Sequence, residues 1–157
     1  PEDSYLLLGT GEKLTIPQIE TLKDLSNVHL VVLSACETAL GGPDRDGIEI
    51  AGISYYFLNR GAKAVIASLW FVNDYSTSLL MQNFYRNLAN DTGKASLTKM
   101  EALRQAQLNM LHGNISSFEN VAESPRVGSQ LPAPPSIATK FSHPYYWAPF
   151  ILIGNGL

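Results

Sequence analysis

The chain has 157 residues, a net charge of -3 and a pI near 5.5, with 45% hydrophobic and 16% charged residues. That length suits one domain with its own core, and the composition excludes a disordered chain. Nothing in the acidic balance favours a nucleic-acid backbone or an anionic membrane surface as partner.

Residues 5–8 (YLLL) read as a short strand ended by Gly9-Thr10-Gly11. Thr15 or Ile16 stands near a helix cap, with Pro17 in the first turn. Ile19, Leu22 and Leu25 recur at helical spacing, and Ser26-Asn27 is expected to end that helix. Residues 29–35 (HLVVLSA) are dominated by valine and leucine. Such a run predicts a strand covered on both faces, as in a parallel sheet. Cys36 follows at its C-terminal end, and residues 37–47 hold three glycines, a proline, Asp44 and Asp46, the composition of a loop.

Residues 48–59 predict a helix that is apolar nearly all round, and so largely buried, with Gly61 as its C-terminal glycine. Residues 63–70 (KAVIASLW) predict a second buried strand ending at Trp70. Asn73 or Asp74 caps the next helix, which runs to about Ala89 with Leu80, Phe84 and Leu88 inward. A further helix covers about residues 97–111, with Leu103, Ala106 and Met110 inward. From Gly113 to Ser142 the chain is rich in Ser, Pro, Gly and Asn, which predicts a flexible insertion. Residues 145–153 predict a last strand, with Pro149 suited to an edge or a strand end. The alternation of strands and helices gives an α/β domain with a mostly parallel sheet.

No run of about 18 apolar residues suggests a membrane helix, and no basic-then-apolar leader opens the chain. A single cysteine cannot form an internal disulfide, so a reducing, cytoplasmic setting is expected. The sequon Asn114-Ile115-Ser116 is read as chance in that setting. The opening Pro1-Glu2-Asp3 leads almost directly into an apolar run, which reads as a piece of a longer polypeptide.

The chemistry centres on Cys36. In open α/β sheets, sites form outside the C-terminal ends of the strands. Cys36 and Trp70 both stand at such ends. A thiol presented there can act as a nucleophile if a base makes the thiolate. The competing reading is a small buried hydrophobe. Residues 34–38 (SACET) lack the glycine frame of a nucleophile elbow, which argues against an α/β-hydrolase. A glutamine-amidotransferase-like enzyme would need the same framed cysteine and a downstream His-Glu pair, and neither is evident.

The run VVLSACETA at 31–39 resembles the cysteine motif of CHAT domains, the caspase-like peptidase domains often fused to TPR repeats. GAKAVIASLW at 61–70, followed by Val72-Asn73-Asp74, resembles that family's next strand and helix start. EALRQAQ at 101–107 and HPYYWAPF at 143–150 resemble its last helix and closing strand. The four segments stand in family order and span most of the chain. Separases are more distant relatives.

The resemblance implies a caspase-like, mostly parallel sheet flanked by helices, and residues 1–157 as a partial domain. It implies a cysteine endopeptidase with a Cys-His dyad, Cys36 as the nucleophile, and no cofactor or metal. The dyad histidine of the family ends an earlier strand, about 50 residues before the cysteine in caspases. It is therefore expected upstream of Pro1, on N-terminal strands missing from the chain, and the chain alone is expected to be inactive. His29 is no substitute, because seven extended residues separate it from Cys36 by about 23 Å. His112 ends a helix, and His143 precedes Pro144 as a structural or surface residue.

For substrate binding, Asp74 matches the separase-like stretch whose acid receives a basic side chain, although an N-cap role fits it equally. Asp44 and Asp46 are further candidates or solvated loop residues, and Trp70 is a pocket wall or core. The implied partners are a peptide or protein substrate cleaved after a basic residue, the missing N-terminal segment and TPR repeats, with no nucleic acid and no membrane. A non-catalytic signalling or scaffold module with the same fold is the rival reading.

Overall fold

In a computed structural model, the structure describes residues 5–33, 48–70, 72–89, 97–115 and 141–157. The chain divides into two compact units, Pro1–Val72 with Pro149–Leu157, and Asn73–Ala148.

The first unit opens with an antiparallel hairpin of β1 (Tyr5–Leu7) and β2 (Lys13–Thr15). Gly11 adopts φ 83° in the connecting turn, and the Leu8 N–H donates to Glu12 O at 2.8 Å. Lys13 Nζ lies 4.1 Å from the centroid of the Tyr5 ring, a cation–π contact across the pair. The sequence reading missed β2, whose residues carry only one strongly apolar side chain, Leu14.

Helix α1 (Ile16–Glu20) follows with Thr15 as its N-cap. Gln18 Oε1 reaches back to accept from the Thr15 N–H at 2.8 Å and its hydroxyl at 3.1 Å, holding the first turn. The helix stops at Glu20, not at Ser26-Asn27 as its spacing suggested. Arg60 explains the early stop: its Nε and Nη2 donate to Leu22 O at 3.0 and 2.6 Å, taking a carbonyl that a longer helix would use. Asp24 then accepts from the Ser26 N–H and hydroxyl, both at 2.9 Å, in an Asx turn. Those bonds, the hydroxyl's first, hold the Asp24 carboxyl below its ordinary value. Leu22 and Leu25 still pack against the core of Ile19, Ile53, Phe57, Ala62 and Val65, from irregular chain.

The described sheet has the order β3 (Val31–Leu33), β4 (Ala64–Ser68), β5 (Phe150–Gly154). Every residue of the central β4 is buried, as its continuous apolar run requires. β3 is parallel to β4, with Leu33 opposite Ala67, and β5 is antiparallel to it, with Phe150 opposite Ser68. Among the described strands the sheet is therefore mixed, not mostly parallel. An apolar run reports that both faces are covered and is silent on strand direction. The closing strand begins at Phe150, later than predicted. Pro149 just precedes it, and its carbonyl accepts from the Leu69 N–H at 3.1 Å.

Helix α2 (Ile48–Asn59) has the bounds read from sequence, and Gly61 follows it at φ 103°. Ile53, Ser54 and Phe57 are buried, but Tyr55 is 62% exposed and Gly52 faces outward, so the helix is not buried all round. Tyrosine counts as apolar in a periodicity reading yet tolerates water at its hydroxyl end.

The second unit holds α3 (Asp74–Ala89) and α4 (Lys99–Leu111). Asn87 Nδ2 donates to Ala102 O at 3.1 Å, tying the end of α3 to the start of α4. Leu79, Leu80, Phe84, Ala102, Leu103, Ala106 and Met110 are buried, and Thr98 caps α4 by accepting from the Glu101 N–H at 3.2 Å. Gly113 closes α4 at φ 69°. Of the insertion predicted at 113–142, residues 116–140 lie outside the described residues. At its far end Phe141 is buried, with ring centroids 5.7 Å from Tyr75 and 5.0 Å from Tyr146. Residues Pro144–Tyr146 form a 3-10 turn, although Tyr145 and Tyr146 were expected in the last strand.

Candidate active site

Parallel pairing puts the C-terminal ends of β3 and β4 on one edge of the sheet. Leu33 and Ala67 are the last paired residues there, and Cys36 and Trp70 each stand three positions further along the chain. Cys36 lies outside the described residues, as do Asp44 and Asp46. Trp70 is described. The buried Ser68 Oγ donates to Trp70 O at 2.6 Å, which fixes the backbone as it leaves the sheet, and the Trp70 side chain is 40% exposed.

Asp74 begins α3 in the other unit. The residue before it takes the cap. Asn73 Oδ1 accepts from the N–H groups of Tyr75 and Ser76 at 3.1 and 3.3 Å. Asp74 is thus the first helical residue, exposed, where the helix dipole favours an anion. Among the described residues no hydrogen bond or ion pair engages its carboxylate. Such a group can receive a cationic side chain. The structure thus describes two of the five sequence-predicted site residues, each in its own unit.

The histidines are placed for other tasks. His143 Nδ1 accepts from the Tyr145 N–H at 3.2 Å and caps the 3-10 turn. His112 is the exposed C-cap of α4. His29 is exposed and precedes β3, and its neighbour Val28 accepts through its carbonyl from the Lys63 N–H, just before β4, at 2.9 Å. It therefore stands at the N-terminal edge of the sheet, the far end from the one Cys36 follows. Among the described residues no group of three or more His, Cys, Asp or Glu side chains could hold a metal ion. No helix among them is long and apolar enough to cross a membrane.

Sequence reasoning left the cap open between Asn73 and Asp74. Ser76 and Thr77, whose hydroxyls both donate to Asn73 O, were the available signal. It missed the outer face of α3, where Ser78, Met81, Gln82, Tyr85, Arg86 and Ala89 line a groove. Their helical spacing lies opposite the predicted stripe of Leu80, Phe84 and Leu88.

Three comparisons bear on this arrangement. The family model of the CHAT domain matches residues 1–155. Mouse tetratricopeptide repeat protein 28 is 30% identical over 129 residues, 82% of this chain and 4% of that protein. The chain thus spans a small fraction of the curated relative it matches. No solved structure matches. With the family model covering nearly the whole chain, the cysteine strand, the tryptophan strand and the Asn73-Asp74 helix start included, the chain belongs to the CHAT-domain family.

Proposed function

We propose that the chain carries the nucleophile of a cysteine endopeptidase with a caspase-like fold. The observation that carries this reading is the parallel register of Leu33 with Ala67, with Cys36 and Trp70 at equal offsets beyond it. Family membership supports it. The Cys36 thiolate attacks a peptide carbonyl carbon, and a tetrahedral oxyanion forms. The C–N bond then breaks, and a histidine gives its proton to the leaving amine. Water hydrolyses the thioester, releasing a carboxylic acid and restoring the thiol.

The base is a histidine that the family resemblance implies upstream of Pro1. Asp74 is the acid that receives a basic side chain of the substrate, as the separase-like resemblance implies, and Trp70, Asp44 and Asp46 are further candidates for substrate binding. A repeat region attached to the domain, as the name of the mouse relative suggests, governs activity in a reducing, cytoplasmic setting.

The test is labelling of the chain, with its native flanking sequence, by an acyl-arginine chloromethyl ketone. Mass spectrometry should find the adduct on Cys36, faster than with an acyl-aspartate analogue and absent in Cys36→Ala. Equal labelling by both reagents would remove the basic-residue preference. No labelling under any activating condition would leave the second reading, a non-catalytic scaffold module. That reading is favoured by one observation: His112 and His143 cap helical turns, and His29 precedes β3 at the opposite end of that strand from the one Cys36 follows in sequence.

A further inference from the structure

Of the asparagines in the sequence, only Asn155 is followed by glycine. It stands just after β5, exposed and in irregular chain. Its N–H donates to Lys63 O at 2.7 Å, which ties its backbone to the residue before β4.

The side chain turns forward over the next peptide. Asn155 Oδ1 accepts from the Leu157 N–H at 3.0 Å, an Asx turn. That donor needs an acceptor, so the amide stands with its oxygen toward Leu157 and its nitrogen turned away. The turn closes around Gly156 and brings Asn155 Cγ toward the Gly156 nitrogen. Among the described residues nothing accepts from the Gly156 N–H. Glycine also has no Cβ to shield that nitrogen.

A nucleophile without a partner, a carbonyl polarised by a donor and a turn that holds them together are the requirements of ring closure. We propose that Asn155 is a site of self-modification, at which the side-chain amide is lost through a cyclic imide. Hydroxide from solvent takes the Gly156 N–H proton. The nitrogen bonds to Asn155 Cγ, and the Leu157 N–H stabilises the oxyanion at Oδ1. The bond from Cγ to Nδ2 then breaks, and ammonia leaves with a proton from water. Water adds to one of the two imide carbonyls. Opening at Cγ gives isoaspartate or aspartate according to which ring bond breaks: loss of the Gly156 nitrogen from Cγ gives aspartate, and its loss from the backbone carbonyl gives isoaspartate. Water is consumed and ammonia released, with no change of oxidation state. Either product adds one negative charge. The isoaspartate also reroutes the chain through Cβ and Cγ, beyond the rung to Lys63 O. The proposal is independent of the chemistry at Cys36.

The test incubates the full-length native polypeptide in warm neutral buffer beside a short peptide of the same local sequence. Mass spectrometry with electron-transfer fragmentation reads the amide-to-acid change and separates the two products. Asn155 should react no more slowly in the folded chain than in the peptide, giving both aspartate and isoaspartate. Asn114 is exposed too but precedes the β-branched Ile115, and should stay intact over the same period. Gly156 is not in the left-handed region, so Gly156→Ala fits the backbone, and it should slow the reaction at least about tenfold by crowding the nitrogen. A slower reaction in the folded chain than in the peptide would overturn the proposal. So would aspartate as the sole product, an undiminished rate in Gly156→Ala, or equal reaction at Asn114.

Discussion

Asn73 and Ser76 clasp each other at the start of α3: the Ser76 N–H donates to Asn73 Oδ1 at 3.3 Å, and the Ser76 hydroxyl donates to Asn73 O at 2.8 Å. The cap therefore belongs to Asn73, which leaves the neighbouring carboxylate of Asp74 available for other work. The two residues should separate in mutants. Asn73→Ala is expected to cost about 1 kcal/mol, the usual loss of an N-cap. Asp74→Asn should leave the melting temperature nearly unchanged while abolishing any preference for arginine over aspartate in the Cys36 label. Thermal denaturation beside labelling rates checks both. A large drop in melting temperature for Asp74→Asn would return that residue to a structural role.

Two glycines should respond to alanine with opposite signs. Gly154 ends β5 at φ 97°, and a Cβ there would lie 2.7 Å from Lys63 O and 2.9 Å from Leu58 Cδ2. The Lys63 carbonyl cannot yield easily, because it accepts from the Asn155 N–H at 2.7 Å. Gly154→Ala is expected to cost at least about 2 kcal/mol, combining left-handed strain with a backbone clash. Gly52 lies inside α2 with nothing within 4 Å of a built Cβ. Gly52→Ala should stabilise by roughly 0.5–1 kcal/mol, since alanine is the better helix former. Urea denaturation of the two variants gives both signs.

These positions also show what the sequence could and could not tell. The bounds of α2 were legible because a long apolar run meets a glycine whose φ of 103° only glycine adopts readily. β4 was legible because five buried residues in a row leave no face to solvent. The stop of α1 was not, because it depends on Arg60, 38 residues away from Leu22. The antiparallel course of β5 was hidden for the same reason: direction is set by where the chain returns, not by its own residues. Strand endings drew attention to Cys36 and Trp70, but position alone leaves Cys36 open to the reading of a small buried hydrophobe, and the resemblance to CHAT domains made it the nucleophile candidate. The neighbours that tune a site come from distant segments, and Cys36, Asp44 and Asp46 lie outside the described residues.

Arg60 carries a prediction of its own. Its guanidinium serves a neutral carbonyl, Leu22 O, with two donors, and its own carbonyl accepts from the Leu25 N–H at 2.7 Å. Arg60→Met keeps the aliphatic stem but removes both donors. A loss of about 1–2 kcal/mol is expected, the range for a charge-assisted hydrogen bond. The bond to Leu22 O involves no anion, and Arg60 adds only a minor Coulombic attraction to the nearby Asp24 carboxylate, so the loss should shrink only slightly in high salt. A loss that vanished in high salt would point to an ion pair instead.

The first turn of α4 carries a pH dependence whose sign is fixed. Two hydrogen bonds from Arg104, at 2.8 and 2.7 Å, and one from Gln105 at 3.0 Å engage the Glu101 carboxylate. Arg104's bonds first, then Gln105's, lower its pKa from the ordinary 4.5 to about 2. A carboxyl depressed on folding contributes stability that is fully present above its unfolded value and is lost as pH falls through its folded value. The contribution should therefore be intact at neutral pH and disappear between about 4.5 and about 2. The pair is solvent-exposed, so the effect is modest and shrinks with added salt. Carboxyl carbon NMR should place the Glu101 midpoint near 2 in the folded chain. Glu101→Gln should flatten this part of the acid unfolding curve, and Arg104→Met should return the midpoint toward its ordinary value. A wild-type midpoint already near 4.5 would mean that the Arg104 bonds do not persist in solution.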